Sequence, residues 1–203
     1  ELRGLTQARD SEGNYPAVAA LRTLAADVRA ILGPDVKISY AADWSEYRGH
    51  DLGEGDFRFH LDPLWADENI DFIGIDMYPP LTDWRDGDTH LDAQEWPSIY
   101  DTAYLRSRIA GGEGYDWYYA SDEDRATQIR TPITDGAHGK PWVWRAKDLK
   151  NWWSNLHYDR PGGVEASEPT AWVPKSKPVW FTELGCPAVD KGANQPNVFV
   201  DPK

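Results

Sequence analysis

Apolar positions in the first half of the chain follow two different periods. Val18, Leu21, Leu24, Ala25, Val28, Ile31 and Leu32 recur at three- and four-residue steps, the spacing of one face of an amphipathic helix. Asn14 and Pro16 supply a start for that helix, and Gly33-Pro34 a stop. Residues 36–42 (VKISYAA) form a β-rich run and predict a strand. Residues 70–78 (IDFIGIDMY) are apolar almost throughout, as a strand buried on both faces should be, and Pro79-Pro80 ends them. Residues 178–182 (PVWFT) predict a third strand running straight into Glu183. The short, partly apolar stretch 2–8 is expected to be the tail of an earlier strand.

Between these runs the pattern is looser. Residues 43–56 are polar and Gly-rich and read as a loop, followed by a short helix around 63–68. Helices are expected near 97–109, 122–129 and 146–156, separated by Gly111-Gly112, residues 136–139 and Pro161-Gly162-Gly163. The span 81–177 is too long for a plain crossover helix, so it reads as a long helical and loop region decorating one face of a barrel. Residues 184–203 read as loop. Strand end, helix, strand, short helix, strand, long helical region, strand is the α/β order with parallel strands, here one domain over residues 1–203. A segment of a (β/α)8 TIM barrel and an open doubly wound sheet both fit. The second lacks a phosphate-binding turn after a strand, because Gly111-Gly112-Glu113-Gly114 follows a helix.

In a parallel barrel the chemistry lies at the C-terminal strand ends. Those ends offer Glu1 with Arg3, Gln7 and Arg9; Asp43, Trp44, Ser45 and Glu46; Asp76 and Tyr78; and Thr182 and Glu183. Glycoside hydrolysis needs two facing carboxyl groups, about 5–5.5 Å apart for retention and about 6.5–9.5 Å for inversion. Glu1 and Glu183, at the first and last strand ends, make the most natural pair. Glu183 follows Val179-Trp180-Phe181, where desolvating an unpaired carboxylate is costly without a purpose.

Composition narrows the partners. Against 21 basic residues stand 34 acidic ones, a net charge of −13, which argues against nucleic acid and fits a surface facing neutral ligands. No apolar run approaches the ~18 residues of a membrane span, so no membrane insertion is expected. Eleven Trp and ten Tyr are many for this length, and several flank polar residues, as in Asp43-Trp44-Ser45, Asp83-Trp84-Arg85 and Asp116-Trp117-Tyr118. Such rings can stack on sugar faces while neighbouring carboxylates take the hydroxyls. The single Cys186 excludes an internal disulfide and, followed by proline, reads as a packed small hydrophobe. His50, Asp51, His60 and Asp62 lack metal-ligand spacing, and Asp83, Asp86 and Asp88 do not follow the EF-hand order, so neither metal nor cofactor is expected.

Four segments carry a resemblance: residues 1–6 (ELRGLT), 42–47 (ADWSEY), 71–81 (DFIGIDMYPPL) and 177–187 (KPVWFTELGCP). They resemble the TIM-barrel-like domain of gene transfer agent and phage-tail proteins, a glycoside-hydrolase-like part of the baseplate hub of phage-like particles. The resemblance runs the length of the chain. It implies kinship with retaining glycosidases that use one glutamate after the fourth barrel strand and one after the seventh. Glu1 would then be the acid/base, Glu183 the nucleophile, and Tyr78 the tyrosine that hydrogen-bonds the nucleophile. Asp43 and Trp44 would end the fifth strand and, with Asp76 and Trp180, contact substrate. The chain would cover strands four to seven of the barrel. The implied setting is the tail of a virion-like particle, with a cell-envelope or surface carbohydrate and other tail or baseplate domains as partners. The alternative is a catalytically silent baseplate module binding glycan or protein neighbours through 81–177.

Overall fold

The computed structural model describes residues 2–198. In chain order the elements are α1 (Arg3–Thr6), α2 (Pro16–Leu32), β1 (Ala41–Asp43), β2 (His50–Gly53), β3 (Asp56–Arg58), α3 (Asp62–Trp65) and β4 (Ile73–Met77). They continue as α4 (Leu91–Glu95), α5 (Thr102–Ser107), β5 (Trp117–Tyr118), α6 (Asp122–Thr127), β6 (Thr131–Pro132), α7 (Leu149–Ser154) and β7 (Val179–Leu184). Short 3-10 turns occupy Pro141–Val143, Pro161–Gly163 and Gly192–Asn194. The chain divides into two compact units. One takes the residues up to Met77 together with Lys150–Glu183; the other takes Tyr78–Leu149 and the residues from Leu184 onward.

The first unit is built on a three-stranded parallel sheet in the order β1-β4-β7. Its register pairs Ala41 with Gly74, Ala42 with Ile75 and Asp43 with Asp76. Every residue of β4 is buried, as its unbroken apolar pattern requires. Gly74 is needed here because a Cβ would stand 2.6 Å from the Tyr40 carbonyl oxygen. The sheet does not close into a barrel among the described residues.

The strand expected over 36–42 begins only at Ala41, and side chains explain why. Asp71 accepts from the Ile38 N–H at 2.8 Å, while the Ser39 hydroxyl donates to the Phe72 carbonyl at 2.7 Å and accepts from the Gly74 N–H at 3.1 Å. These bonds replace ladder bonds and keep residues 38–39 beside β4 without regular pairing. Arg29 ties α2 to the same point through Asp71 at 2.5 Å. Only Val18 and Ala25 of the α2 apolar stripe are buried; Leu24, Ile31 and Leu32 are exposed.

Two expectations for this unit are overturned. Residues 3–6 form a helical turn rather than a strand tail, and the residues near them close on a buried carboxyl: Thr6 and Tyr40 both donate to Glu46. The loop 43–56 contains a hairpin, β2–β3, turned by Glu54 (φ 50°) and Gly55 (φ 83°). Two successive left-handed residues give the tight hairpin turn that follows strand twist.

The first unit's deepest packing is aromatic. His157 stacks on Phe59 at 4.3 Å and on Trp172 at 5.5 Å, and Trp172 stacks on Trp152 at 5.2 Å. Asp62 accepts from His157 Nδ1 at 2.9 Å, and the Trp152 carbonyl meets Nε2 at 2.7 Å. Trp65, Trp152 and Trp172 are thus core rings, which accounts for part of the tryptophan excess without a ligand.

The second unit has little sheet and is organised by buried charge. Asp83 accepts from Arg85 and Arg130, each at 2.8 Å, from Tyr119 at 2.5 Å and from Gln128 at 3.0 Å. Burial alone would raise its pKa, but these donors outweigh that and hold the carboxyl below its usual range. Asp92 pairs with Arg108 and Arg130 at 3.0 Å each and accepts from Tyr104 at 2.9 Å. Trp84 packs on His90 at 4.6 Å, and Arg130 lies 4.3 Å from the Trp117 ring centre, so both rings serve internal packing. The helix expected over 97–109 is present only as α5, because Asp101 accepts from the Ala103 and Tyr104 N–H groups and starts the helix there. α4 precedes that span and was not expected.

Candidate functional site

The carboxyl ends of β1, β4 and β7 bring several predicted residues together. Asp43 and Asp76 are register partners on adjacent parallel strands, about 4.8 Å apart at the backbone. Both side chains are mostly buried, at 8% and 9% exposure. Trp44 donates its N–H to the Asp76 carbonyl at 3.0 Å, which continues the ladder past the strand end. From β7 the Thr182 hydroxyl donates to Asp76 Oδ1 at 2.7 Å. Asp43, Asp76 and Thr182 therefore line one edge of the sheet.

Local sequence fixes each of them. Asp43 Oδ1 accepts from the Ser45 N–H at 2.9 Å and from its hydroxyl, the turn an Asp-x-Ser sequence favours. Arg3 reaches the same point from α1, 2.5 Å from Ser45 Oγ and 3.8 Å from Asp43. The indole N–H of Trp44 is buried and makes no hydrogen bond. Trp180 is half exposed and stacks on Phe72 with centroids 4.1 Å apart. The strand ends thus gather two carboxylates, two hydroxyls and a guanidinium. Such a set can bind a hydroxyl-rich ligand.

Beside this edge stands Glu46, three residues past Asp43. It is fully buried, and burial raises its carboxyl pKa against the hydrogen bonds from Thr6 and Tyr40. Its position pins α1 to the residues before β1, which is a structural task.

Other predicted residues fare differently. Glu183 lies in β7 as expected, but it is exposed. The desolvation argument for its function fails, because β7 is an edge strand whose Trp180, Phe181 and Leu184 are also exposed. Tyr78 is the first residue of the second unit and is partly buried; a Cβ on Gly185 would sit 3.9 Å from its ring. Glu1 lies outside the described residues. Cys186 is exposed rather than packed. Asp83 belongs to the arginine cluster and cannot serve as a calcium ligand there. Among the described residues no three His, Cys, Asp or Glu side chains converge as a metal site, and no helix is long and apolar enough to cross a membrane.

Sequence reasoning gave Arg3 and Ser45 as strand-end residues without a role. Their signal was the Asp-x-Ser turn for Ser45; for Arg3 there was none, because its partner is 40 positions away. No curated protein matches the chain. The family model for the gene transfer agent (GTA) TIM-barrel-like domain matches residues 1–203, and the chain belongs to that family.

Proposed function

We propose that this gene transfer agent domain acts on a cell-envelope or surface glycan through the strand-end site, with Glu183 as nucleophile and Glu1 as acid/base. The observation that carries the reading is Glu183 near the carboxyl end of β7, one of three parallel strands. Asp43, Asp76 and Thr182 align at the same ends, on the other face of the sheet, because successive strand residues alternate. Catalytic groups of barrel enzymes come from such ends. Asp43, Asp76, Trp44 and Trp180 are proposed as sugar contacts, the carboxylates accepting hydroxyls and Trp180 offering its exposed face.

The test uses the complete protein carrying this domain on a panel of chromogenic glycosides and purified envelope glycans. Glu183→Gln is expected to lower kcat by about 10³-fold or more, the scale of losing a nucleophile. A second reading, glycan binding without cleavage as a tail or baseplate module, draws on the exposure of Glu183. That reading expects retention on immobilised glycan, no turnover and no effect of Glu183→Gln.

A further inference from the structure

The first unit holds a second concave site, away from the strand ends. A cavity of 690 Å³ opens between the loop after α1, the start of α2, the end of β3 and residues 159–171. Its wall includes Arg9, Tyr15, Arg58, Phe59, His60 and Asp159.

His60 is the unusual member. It is 4% exposed, and neither ring nitrogen makes a hydrogen bond of acceptable geometry, although the Arg58 carbonyl lies near enough to favour its charged form. Leaving both nitrogens of a buried imidazole unused is unfavourable unless something supplies the partners. Burial keeps the ring neutral, so it presents one donor and one acceptor. A hydroxyl group, itself donor and acceptor, can answer either nitrogen, and two hydroxyls are needed for both because Nδ1 and Nε2 point apart in the ring plane.

The neighbours extend the pattern. Tyr15 lies 5.2 Å from His60 between ring centres and meets His50 Nδ1 through its hydroxyl at 3.1 Å. Asp159 Oδ1 accepts from the Phe59 N–H at 2.8 Å, and Oδ2 makes no hydrogen bond to the described residues. Arg58 is held by Asp56 at 2.7 Å and Arg22 by Asp67 at 2.9 Å. Arg9 differs from both: its Nε donates to the Gly13 carbonyl at 3.1 Å and its guanidinium sits 5.9 Å from the Tyr15 ring centre. No carboxylate pairs with it among the described residues. The wall also carries the carboxylates of Glu12 and Asp159, so an anionic group would be taken at the unpaired guanidinium of Arg9 and not along the wall as a whole.

We infer that this cavity binds a sugar residue bearing a carboxylate, with Arg9 taking the carboxylate and His60 and Asp159 taking hydroxyls. Tyr15 supplies the apolar contact. The inference rests on the cavity alone and stands whether or not Glu183 is catalytic.

The test is NMR titration of the complete protein, or of its isotope-labelled domain within it, with glucuronate and with glucose as the neutral match. Glucuronate is expected to shift the ring resonances of Tyr15, His50 and His60 saturably, about tenfold more tightly than glucose. Arg9→Ala should remove that preference, His60→Phe should weaken both sugars, and Glu183→Gln should change neither. Sodium acetate separates a simple anion site from a sugar site: equal binding of acetate and glucuronate overturns the inference. So does the absence of saturable shifts at those rings, or unchanged glucuronate binding in Arg9→Ala.

Discussion

At the scale of single residues, His60 has the clearest consequence for stability. Burial, with the nearby His50, pushes its pKa down to about 3. The unfolded ring titrates near 6.5, so the folded state binds the proton less well than the unfolded one. Its contribution is therefore complete above about pH 6.5 and is lost progressively as pH falls toward 3. Between pH 7 and pH 5 the loss from this one group approaches about 2 kcal/mol. Urea unfolding at the two pH values should show that difference in the wild type and a smaller one in His60→Gln. An equal pH dependence in the variant would mean that His60 is protonated in the folded protein. Glu46 works in the opposite sense: its raised carboxyl pKa makes the folded state favour the proton, so its share of stability falls as pH rises through the folded pKa.

At the scale of elements, the second unit depends on Asp92 more than on its short helices. Asp92 is 1% exposed and neutralises both Arg108 and Arg130. Asp92→Asn takes the buried carboxylate from Arg108 and one of the two from Arg130, which keeps Asp83, and is expected to cost about 3–5 kcal/mol. Glu95 also faces Arg108, at 3.9 Å, but its side chain is 70% exposed, and Glu95→Gln should cost no more than about 1 kcal/mol. Thermal denaturation of the two variants separates them. Comparable shifts would show that the buried cluster contributes no more than a surface pair.

The same scale marks what the sequence made legible. α2 and β4 were readable because many residues in each repeat one period: a 3.6-residue stripe in one, unbroken apolar character in the other. β1 was readable in place but not in length, because Ser39 and Asp71 satisfy the backbone that a longer strand would have paired. The β2–β3 hairpin was missed because its signal was only Glu54-Gly55 within a polar stretch. Asp43 and Asp76 were legible as strand-end groups. The arginine cluster was not, since Asp83, Asp92, Arg108 and Arg130 meet across up to 47 positions, and only folding reveals such pairs. The His60 cavity was equally hidden: its two histidines lacked metal spacing, and nothing local ties them to Arg9 or Asp159.

At the scale of the whole molecule, β7 reads differently in sequence and in structure. Its apolar run predicted burial, yet Phe181 is 48% and Leu184 68% exposed on an edge strand. Exposed apolar edge strands invite pairing with another chain. The 203-residue chain by itself is therefore expected to self-associate, and Phe181→Lys should shift its sedimentation toward the monomer; an unchanged distribution would mean that β7 is not the contact. This exposure also bears on chemistry, because a nucleophile on an open strand lacks the dry surroundings that strengthen electrostatic catalysis.

Kinetics of Glu183→Gln therefore tests the functional reading most directly. In the complete protein, turnover of at least one envelope glycan should fall by about 10³-fold or more while glycan binding is kept. Equal turnover by wild type and variant would contradict the assignment of Glu183 as nucleophile.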